Sequence, residues 1–365
     1  MAKNQNQKPA SKPPYLSRII LYVVASGFLA ALIFSYLRQT RPTISLMPNA
    51  PQVKSADLVA TTSLPQLDTA AYDAKLLAIA NNPFTSSATS ANPSLWPAKA
   101  VYPKAGALLP FNRIVAYYGN LYSKNMGVLG QYPENEMLDR LNTEAQKWQT
   151  ADPSTPVIPA LHYIAVVAQA GGGRDGKYRL RMPDSEIQKV LTMADKIHGL
   201  VFLDLQVGQS NVQTELPLLT KYLQLPNVHL GIDPEFSMKN GGTPGTKIGT
   251  LDAADVNYAA QFLAGIVQQN NLPPKILVVH RFTQGMLTNY QQITPLPEVQ
   301  IVVNMDGFGG QAKKLNTYKQ FIAKQPVQFT GFKLFYKNDT ANGNTMFAPE
   351  QLLKLNPIPV YIQYQ

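Results

Sequence analysis

From residue 111 onward the chain alternates between two hydrophobic periods. Short runs rich in Val, Ile, Leu, Phe and Tyr recur at 112–118, 157–166, 200–206, 228–233, 276–281, 300–306, 329–336 and 359–364. Their length and β-rich content predict eight strands buried on both faces. Between them, apolar residues fall three or four apart. Leu138, Leu141, Ala145 and Trp148 share one helical face, as do Ile187, Val190, Leu191, Ala194 and Ile197, and then Val256, Ala260, Leu263 and Val267. Pro183-Asp184 and Asp252 stand where helix starts belong. Strands alternating with helices imply parallel pairing, and eight such units close as an α/β fold, the (β/α)8 TIM-type barrel, over 111–365. The alternative is an open doubly wound sheet. Its G-x-G-x-x-G fingerprint is missing after the first strand, where Tyr118-Gly119-Asn120 stands.

Upstream the pattern changes twice. Residues 19–37, IILYVVASGFLAALIFSYL, carry no charge and would span about 28 Å as a helix, close to a hydrocarbon core of roughly 30 Å. The run is long for a signal-peptide core and is followed by Arg38 and Arg41, not by a small-residue cleavage site. It predicts an uncleaved single-pass anchor, with 1–18 a basic cytoplasmic tail and the rest on the periplasmic or extracellular side. Residues 38–110 are rich in Pro, Ser, Thr and Ala and read as a spacer, interrupted by a helical pattern at 68–80 whose cap is Asp68 or Thr69. No helical run follows the eighth strand. The 68–80 helix is therefore expected to take the place of an eighth helix over the seam between strands eight and one, with 81–110 as a belt along the barrel.

Charge and composition narrow the function. The formal charge is +10, but six basic residues and no acid lie within the first 41 positions, leaving only +4 beyond them. That remainder forms no basic stripe, which argues against nucleic acid. The 365 residues contain no cysteine, which excludes disulfides, thiolate metal sites and thiol catalysis. The four histidines, at 162, 198, 229 and 280, show no i, i+4 pair, so the spacing predicts no zinc site, and nothing predicts a cofactor. GGGRDGK at 171–177 resembles a phosphate-binding loop, but Tyr178 stands where Ser or Thr belongs.

The stretch that carries candidate chemistry is NVHLGIDPEF, 227–236. Asp233 and Glu235 are one strand period apart, so both leave the same face about 6.6 Å from one another. Pro234 marks the end of that strand, and strand ends are where barrels keep their chemistry. The bland reading is a turn cap at Asp233 and a solvated acid at Glu235. Other polar residues due at strand ends are Tyr117 and Tyr118, His162, Asp204 and Gln206, His280 and Arg281, Asn304 and Asp306, Lys333 and Tyr336, and Gln363. Such a ring suits a sugar or another small polar ligand. Glycoside hydrolysis needs one protonated and one ionised carboxyl, and Glu235 with Asp204 or Asp306 supplies such a pair, Asp233 tuning Glu235 as its neighbour. Asp204, inside LVFLDLQV, needs a buried partner, and Arg281 or Lys333 is the expected one. The glycine-rich loop 239–250 is expected at the rim of the mouth.

On LDLQVG (203–208) and GIDPEF (231–236), 111–365 resembles exported bacterial (β/α)8 proteins related to glycoside hydrolases. A more distant similarity is to the chitinase-like glycosidases of family 18, whose fourth strand ends Asp-x-Asp-x-Glu. Only the last pair is matched, by Asp233 and Glu235, and Gly231 stands at the earlier aspartate. The resemblance implies a glycoside-hydrolase-like barrel, and with the anchor expected at 19–37 the reading is a membrane-anchored barrel acting on or binding an envelope or environmental glycan. A catalytically inactive scaffold for glycan or protein is the alternative, and scarce tryptophan favours it: Trp96 and Trp148 fall in the spacer and on a helix, so Tyr117, Tyr118, Phe236, Phe308 and Tyr336 would have to stack the sugar. Oligomeric state is left open.

Overall fold

A computed structural model describes residues 66–82 and 94–365. The predicted anchor at 19–37 and most of the spacer lie outside the described residues, among which no helix is long and apolar enough to cross a membrane. All eight expected strands form: β1 (Arg113–Gly119), β2 (Val157–Ala168), β3 (Leu200–Leu205), β4 (Val228–Ile232), β5 (Lys275–Arg281), β6 (Val299–Met305), β7 (Phe329–Leu334) and β8 (Tyr361–Tyr364). Each pairs in parallel with the next. β8 pairs with β1 through Ile114 with Tyr361 and Tyr117 with Tyr364, which closes the barrel. The two-residue period sorts the side chains. In β3, Leu200, Phe202 and Asp204 face the barrel interior, while Val201, Leu203 and Leu205 join the outer core against the helices.

The helices follow their predicted faces. After α1 (Thr69–Ala80) come α2 (Glu134–Ala151), which buries Leu138, Leu141, Ala145 and Trp148, and α3 (Asp184–Asp195), which buries Ile187, Val190, Leu191 and Ala194. In α4 (Ala253–Asn270) Asp252 and Asp255 form a capping box, and Val256, Ala260, Leu263 and Val267 are buried. α5 (Gln311–Tyr318) precedes β7. The connection after β3 carries a continuous helical stretch, α turns at Val212–Glu215 and Thr220–Leu223 joined by a 3-10 turn at Leu216–Leu219, and that after β5 holds two 3-10 turns and the two-residue strand Leu287–Thr288.

α1 departs from expectation. Asp68 caps it, accepting a hydrogen bond from the Ala71 N–H. Its apolar side, Tyr72 with Leu76 and Ile79, packs with Leu109, Ile114, Phe202 and Phe329, while Leu77 is 63% exposed. These are the N-terminal ends of the strands, so α1 plugs the bottom of the barrel and does not cover the β8–β1 seam. The seam is sealed from within the barrel domain. Trp148 of α2 donates its indole N–H to the Tyr364 hydroxyl at 2.9 Å, and Tyr117 packs against Tyr364 and Tyr336. Residues 94–110 do form a belt, tied to the bottom rim by Trp96 Nε1 on the Ala323 carbonyl and by the Leu109 N–H on Gln300.

Candidate active site

The barrel interior is graded along its axis. Its lower part is apolar, with Ile114, Ala116, Ile276, Val278 and Val302. One turn of the period higher, the inward positions become ionisable. His162, Asp204 and His280 from β2, β3 and β5 meet there, each fully buried. His162 Nε2 stands 3.4 Å and His280 Nε2 3.6 Å from Asp204 Oδ1. The Tyr118 hydroxyl donates to Asp204 Oδ2 at 3.1 Å. On their far sides His162 Nδ1 lies 2.6 Å from the Tyr361 hydroxyl and His280 Nδ1 lies 3.0 Å from Asp306 Oδ2. Asn304 and Gln363 hydrogen-bond each other at 3.4 Å, and Gln363 also donates to Tyr361. A ligand atom from each of His162, Asp204 and His280 lies within 4.8 Å of the other two, so two of the four histidines converge although their spacing in the chain gave no sign of it.

Above this layer opens a pocket of about 430 Å³ whose lining includes Tyr118, Gln206, Asp233, Glu235, Asp306 and Lys333. Phe236, Phe282, Phe308 and Phe335 form apolar parts of its wall. Asp233 ends β4 and accepts the Glu235 N–H at 3.0 Å, which sets the short Pro234–Phe236 turn and turns Glu235 into the pocket. Gln206 donates to the Tyr118 hydroxyl at 3.0 Å. Lys333 Nζ pairs with Asp306 Oδ1 at 2.9 Å and lies 3.8 Å from the Tyr118 ring centroid.

The four carboxyls divide into two states. Burial pushes Glu235 up to about 7, and the nearby Asp306 charge adds to the rise against Lys333 and His280. Burial also holds Asp233 well above the carboxylate range. Asp204 is equally buried, but His280 and His162 overcome that penalty and hold it ionised, and Lys333 with His280 does the same for Asp306. Burial lowers His162 to about 4, whereas Asp204 and Asp306 outweigh burial at His280 and raise it to about 10. The Asp306 charge thus adds to the rise at Glu235, and the Glu235 charge adds in turn to the rise at Asp233.

Three expected site residues face elsewhere. Tyr117 and Tyr336 bond to each other at 3.0 Å and line an outer groove beside α2, because their parity along the strands is opposite to that of Tyr118. Arg281 points outward and donates to the carbonyls of Phe321 and Leu287. Neither it nor Lys333 is the partner of Asp204, whose place is taken by the two histidines. His162, Asp204, His280, Asn304 and Gln363 lie below the pocket and do not line it. Residues not foreseen include Tyr361, which holds His162, and the buried pair of Lys314 and Asp339 at 2.7 Å. Lys314 also donates to the Lys333 carbonyl and Asp339 accepts the Phe335 N–H, so the pair braces the top of β7. The loop 239–250 is tied by the Gly249 N–H to the Glu235 carbonyl at 2.7 Å and borders the mouth without lining the pocket.

No family model matches the chain, and no curated protein matches it. Among solved structures it is similar to the YdhT protein from Bacillus subtilis, with 16% identity, 70% of this chain and 81% of that one covered, and a TM-score of 0.36. Bacillus subtilis mannanase man26 follows at 15% identity, coverages of 70% and 80%, and a TM-score of 0.35. A dihydropteroate synthase from Burkholderia cenocepacia is similar at 11% identity, coverages of 70% and 86%, and a TM-score of 0.33. At scores this low the likenesses carry no argument, and the barrel rests on its own strand pairing.

Proposed function

We propose that the chain is a glycoside-hydrolase-like barrel that takes a glycan at its C-terminal mouth, with Glu235 as general acid and Asp306 as the ionised carboxylate. The observation that carries this reading is the division of labour in one pocket. Glu235, half-buried and titrating near 7, keeps a proton available at neutral pH, while Lys333 at 2.9 Å holds Asp306 as an anion. A protonated and an ionised carboxyl on one cleft are what glycosidic cleavage requires. The phenylalanines of the wall offer flat apolar faces to pyranose rings. Asp204 acts in this scheme through Tyr118 and His280, as a positioning residue beneath the floor. The substrate-assisted route of family 18 is not part of the proposal, because Gly231 offers no carboxylate where that route needs one.

A binding scaffold is the second reading, favoured by the positions of Trp96 and Trp148. Both are buried away from the pocket, so no tryptophan lines it. Release of reducing ends from a panel of soluble polysaccharides and aryl glycosides separates the two. Glycosidase action predicts cleavage by the wild type and a loss of at least about 100-fold in Glu235→Gln. Glycan binding without cleavage by either protein would leave the scaffold. The barrel is proposed to lie outside the cytoplasm behind a membrane anchor, on the strength of the uncharged run at 19–37. An alkaline phosphatase fusion after residue 100 should be active, and strong cytoplasmic fluorescence of a green fluorescent protein fusion would contradict it.

A further inference from the structure

We propose that His162, Asp204 and His280 bind one first-row divalent metal ion, zinc by their donor set, in the barrel interior beneath the pocket. The inference goes beyond the glycosidase reading, and its test does not use glycan cleavage. It begins with an imbalance. His162 Nε2, His280 Nε2 and Asp204 Oδ1 all belong to fully buried side chains, and none has a hydrogen-bond partner. A buried polar atom left without a partner is costly, and three that converge on one spot call for a shared one.

The two separations from Asp204 Oδ1 fit an ion better than direct contact. At 3.4 and 3.6 Å from Asp204 Oδ1, the two imidazole nitrogens are too distant or misaligned for good hydrogen bonds. Ligand atoms about 2.1 Å from a tetrahedral zinc ion stand about 3.4 Å apart. The remaining atoms of the same side chains are held as metal ligands usually are. His162 Nδ1 is turned to the Tyr361 hydroxyl and Asp204 Oδ2 accepts from Tyr118, while His280 Nδ1 lies 3.0 Å from Asp306 Oδ2 as an ion contact without hydrogen-bond alignment. A bound ion would take the Nε2 lone pair of each ring and displace a proton wherever the metal-free ring carries one there. Two nitrogen lone pairs and a carboxylate oxygen suit a cation.

Gly231 supplies an independent sign. Its backbone is not in the left-handed region, so no turn requires glycine there. A Cβ at this position would stand 2.4 Å from Asp204 Oδ1 and 2.5 Å from His162 Nε2. The missing side chain keeps clear the space that an ion's neighbours need. In β4 the flanking inward positions are His229 and Asp233, so glycine interrupts a row of large side chains just where the three ligands meet.

The test uses the full chain, stripped with a chelator, exposed to zinc chloride and then desalted. Wild type should retain about one zinc per chain, while His162→Gln and His280→Gln should each fall several-fold and the surface variant His198→Asn should not. Zinc should raise the Tm of wild type and leave that of the two ligand variants unmoved. If a ligand variant does not fold, the cobalt-loaded wild type decides. Visible ligand-field bands of four- or five-coordinate cobalt uphold the site, and a six-coordinate or absent spectrum overturns it. Failure of wild type to retain zinc, or equal retention by folded His162→Gln and His280→Gln, also overturns it.

Discussion

Replacing Glu235 with glutamine should stabilise the barrel in alkaline solution and do so in a pH-dependent way. In the unfolded chain a glutamate titrates near 4.5, and in the folded barrel Glu235 titrates near 7. Between these values the unfolded chain releases a proton that the folded one retains, so wild-type stability falls as pH rises through that interval and is level above it. A carboxyl displaced this far favours the protonated folded form by roughly 3 kcal/mol at about 1.4 kcal/mol per pH unit. Partial exposure of the side chain screens part of this, and about 2 kcal/mol is the working figure. Glutamine has the same shape and no proton to lose. Urea unfolding, followed by far-ultraviolet circular dichroism from about pH 5 to pH 8 with a chelator present, yields the stability of each protein. The stability of Glu235→Gln minus that of wild type should grow by about 2 kcal/mol across that range. A difference that stays flat, or that shrinks as pH rises, would refute the assignment of Glu235 as a carboxyl held protonated by its surroundings.

Other perturbations address other parts of the molecule. Lys333→Met leaves Asp306 as a buried anion without its 2.9 Å partner and should cost about 3 kcal/mol at neutral pH; chemical denaturation showing a loss below about 1 kcal/mol would contradict that pairing. Tyr72→Ala removes the anchor of the bottom plug and should cost about 3 kcal/mol, whereas Leu77→Ala, at a side chain 63% exposed, should change the Tm little. Equal melting of these two variants would show that α1 does not cap the barrel. Trp148→Phe deletes the donor to the Tyr364 hydroxyl and should cost about 1 kcal/mol beyond the change in packing.

The barrel is legible in the sequence because both of its signals are local. Eight apolar runs recur with helical segments between many of them, and each strand falls within a few residues of the run that predicts it. The inner ring is legible only where the two-residue period is applied strictly. Tyr117 and Tyr118 are adjacent and cannot both face inward, and the same parity that brings Asp204 and Gln206 to one side sends Arg281 to the other side from His280. The place of α1 is not legible. The apolar positions Ala71, Leu76, Leu77 and Ile79 of the sequence do not tell which of them is covered or by what: Leu76 and Ile79 pack with Tyr72 at the barrel bottom, Leu77 is exposed, and the seam is filled by Trp148 and Tyr364. The meeting of His162 with His280 escapes any spacing rule written for one helix, because barrel strands bring together inward positions at any separation along the chain.

The axial grading of the interior also bears on what this barrel could become. Its lower half holds the fold through Ile276, Val278, Val302, Phe329 and the α1 plug, and none of these side chains lines the pocket. The mouth differs in kind, since exchanging Glu235, Phe282 or Phe308 alters charge and shape there while leaving every apolar contact of the lower half in place. Stability and chemistry are thus inherited from opposite poles of one cylinder. A lineage built on it can trial new substrates by rewriting a few pole residues, and only the ionisable tier between the poles binds the two inheritances together.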